Sequence, residues 1–89
     1  MRTTEKELQS LVQWLNKITN SPTDENGNQI GNYHLAFAYG GVTLHRIVNS
    51  GGGVSTPLGG GYFTKRELAA KLRSFIAGIE YGIEYGENL

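Results

Sequence analysis

The chain has 89 residues and no cysteine, which predicts one domain without disulfides or thiolate metal sites and leaves the compartment open with a lean to the cytosol. Eight basic and eight acidic residues cancel, which argues against wholesale binding of duplex DNA, where a clear basic excess or stripe is needed. The opening MRTTEKELQS is polar and predicts neither signal peptide nor anchor, and the apolar runs are far too short to span a bilayer.

The first element is a helix over residues 4–19. Thr4 and Glu7 have the T-x-x-E spacing of a capping box, in which each side chain meets an orphan backbone N–H. Leu8, Leu11, Val12, Leu15 and Ile18 recur at helical spacing and make one apolar stripe, with Trp14 at its edge. The helix must stop near Asn20, because Ser21 precedes Pro22 and is pushed out of the α region. A polar loop follows, with Asn26-Gly27 as a turn signal.

Residues 32–49 read as a hairpin. Tyr33, Leu35, Phe37 and Tyr39 alternate with His34, Ala36 and Ala38, the period of a half-buried strand. Tyr33, Leu35 and Phe37 are the expected core face. Gly40-Gly41 is the expected turn, since glycine supplies positive φ, and Val42 to Val48 returns as the second strand. Residues 50–61 are a glycine-rich loop or a short edge strand at Val54 to Leu58; Pro57 lacks the donor that a central strand needs.

The second helix covers residues 64–82. Thr64 and Glu67 form another capping box, and Phe63 and Leu68 occupy the positions of a hydrophobic staple. Leu68, Leu72, Phe75, Ile76 and Ile79 make the buried stripe, whereas Gly78 and Gly82 weaken the last turns. Residues 83–89 are expected to be a flexible tail. The Gly-Ile-Glu-Tyr unit at 78–81 repeats at 82–85, which suits a fraying end or a tail whose Ile83 and Tyr85 dock on a neighbouring subunit. The order α-β-β-(β)-α predicts a two-layer α+β domain, a small antiparallel sheet covered on one face by two amphipathic helices.

The run IGNYHLAFAYGGVTLHRIVNSGGGVS, followed by TKREL and FIAGIEYG, resembles a family of small uncharacterised proteins encoded by tailed bacteriophages. Its pattern is LNKITG-x-P, then G-N/H-Y-x-L with A-Y-G-G-x-x-L, then N-x-G-G-G/V, then T-K-R-E. The similarity spans Leu15 to Tyr81, and Asn20 stands where the pattern has glycine. The resemblance implies a phage accessory protein in the host bacterial cytoplasm, serving host takeover or counter-defence. It implies no catalytic residue. The element order also invites comparison with double-stranded RNA-binding domains, but Glu67 interrupts the cluster of Lys65, Arg66, Lys71 and Arg73, and the loop signature is missing.

GGGYFTKRE is a candidate anion grip. A helix N-terminus offers free N–H groups, Gly60 and Gly61 allow close approach, and Thr64, Lys65 and Arg66 would complete the site. Against this, Thr64 already fills the cap, Glu67 adds negative charge, and the P-loop pattern is missing. His34 and His45 lack the further ligands of a metal site. With neither a nucleophile motif nor a paired-carboxylate motif, no enzyme and no cofactor are expected. Tyr39, His45, Arg46 and Tyr62 complete the candidate site, since aromatic faces stack on bases and arginine pairs with phosphates. Three functions fit. The first is a homo-oligomeric, non-catalytic protein sequestering a phosphorylated small molecule such as a nucleotide signal. The second is a protein-interaction inhibitor covering a host enzyme, and the third, favoured least, is a weak nucleic-acid binder.

Overall fold

A computed structural model describes residues 3–22 and 29–87. The elements run α1 (Glu5–Ile18), β1 (Tyr33–Ala38), β2 (Gly41–Ile47), β3 (Val54–Ser55) and α2 (Lys65–Glu87). The strands form one antiparallel sheet in the order β1-β2-β3, so the architecture is the expected α+β arrangement. The Asn26-Gly27 turn signal lies outside the described residues.

Both helices start at the expected threonine caps, but only the second forms the full capping box; the Glu7 carboxylate is turned to Arg73. Thr4 Oγ1 accepts the Glu7 N–H at 3.1 Å. Thr64 and Glu67 exchange two bonds: Glu67 N–H donates to Thr64 Oγ1 and Thr64 N–H donates to Glu67 Oε1, each at 3.1 Å. α1 ends in a Schellman turn. Ser21 N–H donates to Asn16 O at 2.8 Å and Asn20 N–H to Lys17 O at 3.2 Å, with Asn20 left-handed at φ 54°. That conformation suits glycine or asparagine.

The register pairs Tyr33 with Arg46, Leu35 with Leu44 and Phe37 with Val42, and opposed residues share a face. That face meets the helices. Leu8, Val12 and Leu15 of α1 and Leu68, Ala69, Leu72 and Ile76 of α2 close over Tyr33, Val42 and Leu44 in one buried cluster. Full burial of each leucine is worth about 1.5–3 kcal/mol. The two helices are also bridged by Arg73 and Glu7 at 2.6 Å, an exposed pair worth about 0–1 kcal/mol. His34, Ala36, Ala38, Thr43, His45 and Ile47 line the other face, where Thr43 and Ile47 are buried too.

Three sequence expectations are corrected. The hairpin turns on Tyr39-Gly40 rather than Gly40-Gly41: their φ values are 53° and 75°, the double positive φ of a type I′ turn, and Gly41 belongs to β2. Phe37 is 50% exposed rather than core: it sits on the edge strand outside the cluster that buries its partner Val42. α2 does not stop at Gly82 but runs through Glu87. Ile83 is therefore helical and partly exposed, while the Tyr85 side chain and residues 88–89 lie outside the described residues.

Candidate binding site

The sheet continues past β3 in a broken way. After Ser55 the chain leaves the sheet, and it returns at Phe63, whose backbone pairs with Val42 through bonds of 2.8 and 2.9 Å. This return lays Tyr62 and Phe63 beside the β1–β2 turn. The close approach requires glycine at position 41, since a Cβ there would stand 2.9 Å from Tyr62 Cβ and 3.0 Å from Phe63 O.

The result is an aromatic corner. Tyr39 and Tyr62 meet edge to face with ring centroids 5.6 Å apart. Tyr39 is 95% exposed and Tyr62 38%. A concavity of about 590 Å³ opens between them, floored by Gly40, Gly41 and Gly61 and walled by Phe63, Thr64 and Glu67. A second concavity of about 380 Å³ lies next to it, sharing Gly40, Gly41 and Phe63 and adding Phe37 and Lys65.

Of the nine residues expected to form a site, four line the larger concavity: Tyr39, Gly61, Tyr62 and Thr64. Lys65 borders the adjoining one, and Gly60 and Arg66 line neither. His45 and Arg46 are elsewhere. Gly41 and Arg46 are five residues apart on one strand, a separation of roughly 16 Å at about 3.3 Å per residue. There Arg46 lies over the Tyr33 ring at 5.5 Å, and His45 packs against His34 at 5.6 Å between centroids.

The helix N-terminus is already occupied. Glu67 accepts the Thr64 N–H, which is one of the donors an anion would need. That backbone bond, then the one to the Thr64 hydroxyl, then the charge of Lys71, hold the Glu67 carboxyl below its ordinary value. It is therefore ionised at neutral pH. An incoming phosphate would meet a fixed negative charge, whereas an incoming cation would meet aromatic faces and a carboxylate. The Thr64–Glu67 spacing was legible as a capping box that opposes an anion; what the structure adds is the turn bringing Tyr39 alongside it. Lys71 lies 4.9 Å from the Phe63 ring but lines neither concavity.

The first glycine triplet has a different role. Asn49 Oδ1 accepts the N–H groups of Gly51 at 3.0 Å and Gly53 at 2.9 Å, which closes the loop on itself. Near β1, Asn32 Nδ2 donates to Pro22 O at 2.7 Å, so its Oδ1 is the acceptor for His34 Nδ1–H at 3.2 Å. Burial first, and the neighbouring His45 second, lower the His34 pKa. Among the described residues no group of three His, Asp or Glu could hold a metal ion, and no helix is long and apolar enough to cross a membrane. No protein-family model, curated protein or solved structure matches the chain.

Proposed function

We propose that the chain is a non-catalytic binding protein of the phage accessory kind, acting in the host cytoplasm, whose aromatic corner docks a cationic side chain of a host protein. The observation that carries this reading is Tyr39. A bulky residue in the left-handed region is uncommon and costs about 1–2 kcal/mol, yet it is held there almost fully exposed, against Tyr62 and across from Glu67. Strain of this kind clusters at ligand-binding segments. A guanidinium suits the corner, since it stacks on aromatic faces and pairs with a carboxylate.

A titration followed by NMR tests the reading with N-acetyl-arginine amide as the probe. The amides of Tyr39, Tyr62 and Glu67 should shift and those of His45 and Arg46 should not. Glu67→Gln keeps the cap acceptor and removes the charge, so it should abolish the shifts. Shifts centred elsewhere, or unchanged in Glu67→Gln, overturn the reading.

Sequestration of a nucleotide-like molecule is the second reading. It is favoured by the open Tyr39 ring with Lys65 on the adjoining concavity, an arrangement that offers a stacking surface and one positive charge. Adenosine and cyclic nucleotides in the same titration separate the two: shifts at Tyr39 and Lys65 with these probes, and none with the arginine amide, would select it.

A further inference from the structure

The long edge strand of the sheet is β1, and its chemistry selects what covers it. β1 is an edge strand, and its register with β2 decides which backbone groups point outward. Ile47 N–H donates to Asn32 O, so every second residue from Asn32 onward is bonded to β2, and the N–H and C=O of Tyr33, Leu35 and Phe37 point away from the sheet. The same parity holds on the opposite strand, where Val42 bonds outward to Phe63. Tyr33 is closed off by α1: its N–H donates to Asn16 Oδ1 and its C=O accepts from Asn16 Nδ2. Leu35 and Phe37 have no such partner among the described residues, which leaves two donors and two acceptors in a row.

Natural sheets guard open edges with charges, proline or bulges. This edge reads Tyr-His-Leu-Ala-Phe-Ala, with none of these, and it carries the half-exposed Phe37. Outward amides flanking one residue suit a two-fold axis through that residue. We propose that two copies of the chain pair antiparallel along β1 with the axis at Ala36, making a continuous six-stranded sheet. Leu35 then bonds Phe37 of the partner subunit, and Phe37 bonds the partner's Leu35, so all eight outward groups are satisfied in four bonds.

Neighbouring registers fail. An axis at Leu35 sets Phe37 against the partner's Tyr33, whose backbone groups Asn16 already holds. An axis at Phe37 sets Leu35 against the partner's Tyr39, which sits in the turn at positive φ. Only the Ala36 axis uses every free group. It also lays the Phe37 ring on the leucine of the other copy, an apolar cross-strand contact, and it opposes no like charges. The zero net charge adds no repulsion between copies. The inference is independent of the aromatic corner, which uses Tyr39, Tyr62 and Glu67.

The chain contains no cysteine, so single-cysteine variants report the register cleanly. Opposed residues in a non-hydrogen-bonded antiparallel pair have Cα atoms about 4.5 Å apart, within disulfide reach. Ala36→Cys should therefore cross-link to a dimer under mild oxidation, and Ala38→Cys should not. Sedimentation of the unmodified chain should show a concentration-dependent dimer, and Phe37→Lys, folded by circular dichroism, should be a monomer. The proposal is overturned by a monomer at every concentration, by cross-linking at Ala38 in preference to Ala36, or by a dimer that persists in Phe37→Lys. A dimer lost in Phe37→Lys but retained in Glu67→Gln separates this interface from the docking corner.

Discussion

The carboxamide of Asn16 occupies the place of a strand beside Tyr33. Its Oδ1 accepts the Tyr33 N–H and its Nδ2 donates to the Tyr33 C=O, both at 2.9 Å and both buried. One side chain thus ties the last turn of α1 to the start of the sheet and closes the edge at that end. Asn16→Ala strands two buried backbone groups, and a loss of about 2–4 kcal/mol is expected. Urea unfolding measures it. A loss below about 1 kcal/mol would mean that water replaces the amide at little cost.

Tyr39 gives a prediction about strain. Tyr39→Asn and Tyr39→Val both delete the ring contact with Tyr62, but only asparagine tolerates the left-handed conformation. The asparagine variant should be the more stable by about 1–2 kcal/mol in thermal or urea unfolding, and both should lose arginine binding. Equal stabilities would show that φ at this residue is not positive in solution.

The glycines divide by what surrounds them. Gly41→Ala forces a Cβ into Tyr62 and the Phe63 carbonyl, so it should cost about 1–3 kcal/mol and broaden the Tyr62 signals. Gly78→Ala and Gly82→Ala meet nothing within 4 Å on a helix, and each should raise stability by about 0.5–1 kcal/mol. Opposite signs in the two groups are the test; a destabilised Gly78→Ala would mean that this helical face is covered.

His34 sets a pH dependence. Its folded pKa is lowered, by burial first and by His45 second, whereas in the unfolded chain it is near 6.5. As pH falls through about 6.5 the unfolded chain takes up the proton first, so stability declines with acid until the folded pKa is passed and then levels off. In His34→Gln this decline should shrink. In His45→Ala the His34 resonance should titrate at a higher pH than in the unmodified chain, yet still below the ordinary histidine value. A titration unmoved by His45→Ala would remove the charge coupling.

The element order was legible because each helix carries its own start signal and stripe, and because β1 alternates cleanly from Tyr33 to Phe37. The turn was displaced by one residue, since a tyrosine in the left-handed region contradicts local preference and is imposed by the strand register. Gly41 looked like a turn residue but is required by a neighbour that arrives more than twenty positions later. The candidate site divided for the same reason. Tyr39, Gly61, Tyr62 and Thr64 meet only because Phe63 rejoins β2, whereas His45 and Arg46 follow β2 to its far end. The Asn16–Tyr33 pairing left no signature in periodicity, because a buried asparagine on an apolar helix face announces no partner.

The double duty of Glu67 constrains how the sequence can drift. One carboxylate starts α2 and gives the aromatic corner its sign, so replacing it with lysine to court anions would also unpick the onset of the longest helix. Glutamine is the neutral step between the two. Variants in search of a new ligand should therefore pass through that uncharged state, or change the rings and leave position 67 alone.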